Sequence, residues 1–114
     1  MKLQVVDFAV PSCEEQVEIG RGTDILLGAH GAGLTHMLWM IPGSSVVEIS
    51  TSYGERQNQH YRNMAGYMRH SYNRVEGLIP LMGESGHVKL ERLRVALDAA
   101  VRNSEELRSS TNNP

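Results

Sequence analysis

Residues 28–33, with the sequence GAHGAG, combine three glycines with a histidine and suit the binding of a negatively charged ligand. Glycine has no Cβ atom, so the backbone of such a loop can approach a ligand closely and turn its N–H groups outward. The residues that follow have a helical composition, which brings the positive end of a helix dipole to the same place. We therefore expect a phosphate or diphosphate to bind at this loop.

The same glycines also have a plainer interpretation, a tight turn with His30 as a satisfied polar residue, and their spacing alone slightly favours it. The order Gly-x-x-Gly-x-Gly differs from the dinucleotide pattern Gly-x-Gly-x-x-Gly, and no Gly-Lys-Ser/Thr sequence follows as in a P-loop. An ordinary dehydrogenase or ATPase is therefore disfavoured. The loop is also similar to the His-Gly-Gly-Gly oxyanion loop of esterases, but residues 83–87 miss the required Gly-x-Ser-x-Gly elbow by one position.

Glu48 and the histidines are the other residues that could do chemistry. Glu48 ends an apolar run, where a carboxylate can accept hydrogen bonds from ribose hydroxyls or from a neighbouring backbone group. The pairs His30/His36 and His60/His70 lack the spacing that puts two imidazoles on one helix face, and no carboxylate motif accompanies them. Exposed or capping histidines are therefore the favoured interpretation, and we expect no metal. We expect no cofactor either.

The elements around the loop alternate between strand and helix. Residues 3–8, 23–27 and 45–49 are predicted to be strands, and residues 45–49 show no alternation, which is typical of a strand buried on both faces. Ser12 and Glu15 form a capping box that starts a helix over residues 13–19, and residues 34–40 are the second helix. These βαβ units predict an α/β fold, a Rossmann-like parallel sheet with flanking helices.

The second half of the chain continues this pattern more weakly. Apolar residues recur every three or four positions in residues 60–68 and 88–101, so both segments are predicted to be amphipathic helices. Residues 71–75 are predicted to add an edge strand, and residues 77–86 to form a loop. The polar residues 104–114 predict a flexible tail behind a domain of residues 1–103.

The composition predicts one folded domain that binds its partners locally. The 114 residues carry a net charge of -2, so no basic field exists that would recruit nucleic acid. The single cysteine, Cys13, excludes an internal disulfide and a cysteine-based zinc cluster. Glycines, prolines and histidines interrupt the apolar residues 25–47, so we expect no membrane span, and the first residues lack a signal-peptide pattern.

Residues 23–49, TDILLGAHGAGLTHMLWMIPGSSVVEI, resemble the hallmark segment of glycosyltransferase family 61, and the resemblance extends over about residues 4–72. It implies the C-terminal, donor-binding lobe of a GT-B glycosyltransferase, with the acceptor-binding N-terminal lobe outside this sequence. It further implies inverting transfer from a UDP-sugar to a glycan or glycoprotein, without a metal. In a eukaryote it implies the lumen of the Golgi or the endoplasmic reticulum.

The resemblance also implies roles for individual residues. His30 would be the catalytic residue, because an imidazole beside backbone N–H groups can stabilise the charge on a leaving UDP. Glu48 would lie near the nucleoside. His36 departs from the family pattern, which commonly has Asn there. The donor diphosphate would be lined by Gly31, Ala32, Gly33, Leu34 and Thr35. A stand-alone or degenerate nucleotide-binding domain without catalysis is the alternative.

Overall fold

A computed structural model describes residues 2–29, 31–50, 59–76 and 87–112 of the chain. These residues form an alternating series of helices and parallel strands. In chain order the elements are α1 (Cys13–Arg21), β1 (Ile25–Ala29), a 3₁₀-helix (Ala32–Trp39), β2 (Ser45–Ser50), α2 (His60–Tyr67), β3 (Ser71–Glu76) and α3 (His87–Asn112).

The three strands form one parallel sheet in the order β1-β2-β3. In this register Gly28, Glu48 and Arg74 lie side by side across the sheet. Because successive side chains of a strand point to opposite faces, neighbouring residues in one row share a face. The α/β fold with a Rossmann-like parallel sheet is confirmed.

Helices cover both faces of the sheet, which gives a three-layer domain. One face packs against the 3₁₀-helix and α2, and the opposite face packs against α3. Burial of these apolar side chains, at about 25 cal/mol per Å², is the main force that holds the layers together. The first core cluster contains Leu34, Met37, Met40, Val46, Tyr61 and Ala65, and the second contains Val47, Val75 and Ala100.

The start of α1 confirms Ser12 as the N-cap, whereas the Glu15 side chain bonds to the Ser12 hydroxyl and not to the backbone N–H that a full capping box uses. The Ser12 hydroxyl accepts a hydrogen bond from the Glu15 N–H at 3.2 Å and donates one to Glu15 Oε1 at 3.1 Å. The other end of α1 lies close to the 3₁₀-helix. A Cβ atom on Gly20 would stand 2.6 Å from the Cβ of Trp39, so only glycine allows this approach.

The strand predicted over residues 3–8 is wrong. These residues are not in the sheet, and Leu3 and Val5 are 86% and 93% exposed. A β-branched run becomes a strand only when a sheet edge pairs with it, and pairing is a non-local property that the run does not contain. The predicted strand 23–27 is found two residues later, as β1.

The remaining short elements largely confirm the predictions. α2 and the edge strand β3 form where the sequence places them. The helix predicted over residues 34–40 is a 3₁₀-helix that begins earlier, at Ala32. The loop predicted over residues 77–86, which includes most of the incomplete esterase elbow, lies outside the described residues.

α3 ends far beyond the predicted end at residue 101. The Ser104 hydroxyl donates to the carbonyl oxygen of Gly43 at 2.6 Å, and Arg108 pairs with Asp24 at 2.7 Å. Gly43 has a φ of 93°, and a Cβ atom there would meet the Arg108 side chain at 3.1 Å. Residues 104–112, which were predicted as a flexible tail, are helical. The contacts of Ser104 and Arg108 hold this end of α3 against Asp24 and the loop before β2.

Candidate functional site

The glycine-rich loop overlaps the last two residues of β1 and the first two of the 3₁₀-helix. It thus lies at the C-terminal edge of the sheet, which is where ligands bind in open α/β folds. Gly31 is the residue before the 3₁₀-helix, and its carbonyl accepts the N–H of Leu34 at 3.1 Å. The Leu34 side chain is buried over Gly28. Leu34 is therefore a core residue whose amide is used by the helix, and its predicted diphosphate contact lacks a free N–H.

The three amides before Leu34 are in a different situation. A helix provides no acceptor within itself for the N–H groups of its first residues, and Ala32 and Gly33 lie in that first turn. Both residues are exposed, and a Cβ atom on Gly33 would have no atom within 4 Å. Gly31, Ala32 and Gly33 thus line an open surface at the positive end of the helix dipole.

Thr35 and His30 complete the predicted diphosphate site. The Thr35 hydroxyl donates to the carbonyl of Ala32 at 2.6 Å, so its proton is turned back onto the helix. The predicted catalytic residue, His30, lies outside the described residues. Its role, and the ligand contacts of its neighbours, stay predictions.

Glu48 lies on β2, on the face of the sheet that carries the 3₁₀-helix, and only 1% of it is exposed. Its Oε1 accepts a hydrogen bond from the Tyr72 hydroxyl and lies 3.5 Å from Nη2 of Arg74. The Nε–H of Arg74 in turn donates to the Tyr72 oxygen at 3.1 Å. Three polar side chains from two neighbouring strands therefore form one buried network.

Burial and the contacts of the network together shift the pKa values of two of its members and of Tyr61. Burial, followed by the hydrogen bond to Glu48, raises the pKa of Tyr72 to about 12. Burial and then the negative charge of Glu48 raise the pKa of Tyr61 on α2. Burial alone would lower the pKa of Arg74, but Tyr72 and Glu48 outweigh it and raise the pKa overall.

This geometry bears on the nucleoside contact predicted for Glu48. A side chain so deeply buried holds its neighbours in place and offers a ligand little surface. Arg74, whose side chain is 13% exposed, and the partly buried Tyr72 are the members of the network that retain some exposed surface. The sequence reasoning missed Arg74 and Tyr72. Their two-residue spacing on β3 puts them on one face, but only the register with β2 brings them to Glu48.

His36 lies one turn into the 3₁₀-helix and is half-buried. Its Nδ1 is 2.8 Å from the carbonyl oxygen of Gly33, and its Nε2 is 3.0 Å from Oε1 of Gln16 on α1. The imidazole stacks on the ring of Phe8, with centroids 3.6 Å apart and an angle of 8° between the planes. Both ring nitrogens of His36 therefore have hydrogen-bond partners, and one face of the ring packs against Phe8.

Metal-binding and membrane-spanning features are the last candidates. Among residues 2–29, 31–50, 59–76 and 87–112, no group of three or more histidine, cysteine or acidic side chains is arranged to hold a metal ion. No helix in the described part of the chain is both long enough and apolar enough to cross a bilayer.

Comparison with known proteins connects this site to an enzyme family. The family model Glycosyltransferase 61 matches residues 1–47, which include the glycine-rich loop. The chain is 36% identical over 58 residues to the EGF domain-specific O-linked N-acetylglucosamine transferase of dog, and 38% identical over 58 residues to the chicken protein of that name. Each match covers 49% of this chain and 11% of the relative.

A plant protein gives a longer match. The chain is 31% identical over 87 residues to Beta-1,2-xylosyltransferase RCN11 of rice, which covers 68% of this chain and 16% of the relative. The chain thus spans only a small part of the curated relatives it matches. No solved structure matches it. Over part of its length, this chain is therefore similar to the glycosyltransferases of family 61.

Proposed function

We propose that this chain binds the nucleotide-sugar donor of a glycosyltransferase, with the donor diphosphate on the amides of Gly31, Ala32 and Gly33. The observation that carries the proposal is the position of these amides, which open the first helix after β1 at the C-terminal edge of a parallel sheet. The family-model match includes this segment.

The donor in this proposal is a UDP-sugar. The relatives are named as transferases of N-acetylglucosamine and xylose, and the proposed donors for this chain are the UDP derivatives of such sugars. The acceptor is a glycan or glycoprotein, held by a second lobe that is not part of this sequence. The shortness of the match relative to each relative supports the idea that a whole enzyme needs more than these residues.

The proposed chemistry is inverting transfer. An acceptor oxygen attacks the anomeric carbon from the face opposite the UDP, the bond from that carbon to the diphosphate oxygen breaks, and a base outside this chain takes the acceptor proton. The loop amides stabilise the negative charge that develops on the leaving diphosphate. His30 contributes in the same way, as a donor beside those amides, and no metal is required.

The nucleoside end of the donor is proposed to lie near the network of Glu48, Tyr72 and Arg74. Glu48 and Arg74 occupy the row of the sheet that starts at Gly28, the first residue of the glycine-rich loop, and Tyr72 lies two residues before Arg74 on the same face. Glu48 is buried, so its contact with the ribose requires that the side chains above it move. In the simpler arrangement Glu48 holds Arg74 in place, and Arg74 contacts the nucleotide.

The test is titration calorimetry of UDP, UDP-sugars and ATP against the wild-type chain and the variants Gly33→Ala and His30→Ala. Gly33→Ala is the more specific variant. Its added methyl group would contact no protein atom, so the fold should be unaffected, but it would occupy the open space in which the diphosphate is proposed to bind. Gly66→Ala on α2 is the matched control, since a Cβ atom there also meets no atom within 4 Å.

We expect weak binding of UDP, because one lobe contacts one side of the nucleotide and must still offset the entropy of association. We expect Gly33→Ala and His30→Ala to weaken it and Gly66→Ala to leave it unchanged. Binding that ignores both loop variants, or that prefers ATP, would contradict the donor site. A parallel transfer assay separates the alternatives, because sugar transfer by the chain alone would show that no second lobe is needed.

A further inference from the structure

The contacts of His36 carry an inference about how the glycine-rich loop is held. The Gly33 carbonyl, which faces Nδ1, can only accept a hydrogen bond. The direction of the second bond depends on which end of the Gln16 amide faces Nε2. That end is fixed by other contacts of Gln16.

The Nε2 of Gln16 donates to the carbonyl oxygens of Phe8 at 2.9 Å and of Pro11 at 3.1 Å. Because both carbonyl oxygens only accept hydrogen bonds, the NH₂ group of the Gln16 amide must face them. The amide cannot be flipped, and its Oε1 therefore faces His36. Both nitrogens of the imidazole therefore face oxygen atoms that only accept. A neutral ring carries one N–H and makes one of these bonds, whereas the protonated ring makes both.

The stacking partner favours the same state. A cation within about 6 Å of an aromatic centroid is attracted by the face of the ring. Phe8 lies well inside that distance. In the part of the chain that the structure describes, the polar contacts of His36 are the Gly33 carbonyl and the Gln16 amide, neither of which is charged.

We propose that His36 is a positioning residue for the glycine-rich loop. As a protonated ring it donates one hydrogen bond to the Gly33 carbonyl and one to Gln16, whose amide is held by the carbonyls of Phe8 and Pro11. Gly33 is one of the three residues on which the proposed diphosphate site depends, and a bond to its carbonyl fixes the plane of the peptide between Gly33 and Leu34. The inference about ligand binding rests on the proposed function, whereas the two hydrogen bonds can be tested without a ligand.

Two substitutions separate the bonds. In His36→Asn the side-chain N–H group replaces Nδ1, so the bond to Gly33 is kept and the bond to Gln16 is lost. In His36→Gln the longer side chain replaces Nε2, so the bond to Gln16 is kept and the bond to Gly33 is lost. Gln16→Leu removes the acceptor that faces Nε2 and leaves the Gly33 carbonyl in front of Nδ1.

The ligand-free measurement is a nitrogen–proton NMR correlation of the imidazole. The spectrum is recorded at several pH values, so that a state with both ring protons is sampled. We expect both ring N–H protons of His36 to be protected from exchange with water, and the Nε2 proton to lose that protection in Gln16→Leu, which has no acceptor. Exchange of both protons as fast as in the exposed His60 would overturn the proposal.

The second measurement is the affinity of each variant for UDP and the position of the Gly33 and Leu34 amide resonances. If the loop is held through both bonds, His36→Asn and His36→Gln each weaken UDP binding about fivefold, the effect of one hydrogen bond, and both shift these resonances. Unchanged affinity and unchanged resonances would overturn the positioning role. If the wild-type chain binds no UDP, the proposed function fails, and the ring exchange still decides whether the bridge exists.

Discussion

The hydroxyl of Tyr72 on β3 donates a hydrogen bond to the buried Glu48 carboxylate on β2. We expect Tyr72→Phe to lower the free energy of unfolding by about 1–3 kcal/mol, because a buried acceptor loses one of its donors. Urea denaturation measures the change. Tyr67→Phe is the control, since Tyr67 is exposed, and an equal loss in both variants would show that the bond to Glu48 contributes nothing.

Tyr72 should also make the fold sensitive to alkali. Its pKa is raised from 10.0 to about 12 in the folded chain, so between these values the unfolded chain loses the proton while the folded chain keeps it. The stability that Tyr72 contributes is therefore complete below pH 10 and is lost as the pH rises towards 12. Denaturation at about pH 9 and about pH 11 should show a fall in stability that is smaller in Tyr72→Phe. The prediction fails if both proteins lose the same amount.

His70 should have the opposite effect, at acid pH. Burial lowers its pKa below 6.5, although the bond from Nε2 to the Met37 carbonyl opposes this shift. Its Nδ1 is buried without a partner among the described residues, so a second proton has no acceptor there. Below about pH 6.5 the unfolded chain then binds more protons than the folded chain, and stability falls.

The variant that tests this is His70→Gln, whose amide can replace the Nε2 donor but does not titrate. Denaturation at about pH 7 and about pH 5 should show a smaller acid loss in His70→Gln than in the wild type. The exposed His60, changed to Gln, provides the control and should retain the wild-type loss. Identical pH profiles for all three proteins would contradict the role of His70.

The contact of α1 with the 3₁₀-helix predicts a glycine that cannot be replaced. Alanine normally stabilises a helix relative to glycine by up to about 1 kcal/mol. At Gly20 the added methyl group would overlap the Trp39 Cβ, so we expect a net destabilisation of about 1–3 kcal/mol. Gly66→Ala in α2 has free space and should be neutral or stabilising in the same thermal unfolding experiment.

The end of α3 predicts the effect of truncation. A stop codon at position 104 removes the bonds of Ser104 to Gly43 and of Arg108 to Asp24, each worth about 1 kcal/mol. We expect a clear loss of stability in urea. A stop codon at position 110 keeps both residues and should cost little. Equal stability of the two truncated chains would instead support a domain that ends at residue 103.

The sequence predicted what depends on local patterns and missed what depends on distant partners. The Ser12 cap, β2 and α2 follow from short-range signals that the structure confirms. The run at residues 3–8 has the composition of a strand, but composition does not reveal whether an edge is available to pair with it. Ser104 and Arg108 looked like tail residues because their partners are 61 and 84 positions away.

In the candidate site, too, the contiguous motif was predicted and the contacts between distant residues were not. The glycine-rich loop is a contiguous motif, so its place after a strand and before a helix was predicted from the sequence and is found in the structure. The partners of Glu48 are set by the register of β2 with β3, and the partners of His36 by the packing of α1 on the 3₁₀-helix. The sequence around Glu48 or His36 therefore does not indicate which residues each side chain contacts.

The docking of α3 has a consequence for the order in which the chain folds. One face of the sheet, with Val47 and Val75, is covered by a helix that begins at His87, after all three strands have been made. During synthesis the strands leave the ribosome before this cover exists, and closing the intervening length of chain slows its arrival. The nascent chain therefore passes through a stage with an uncovered apolar face, the kind of surface that chaperones bind.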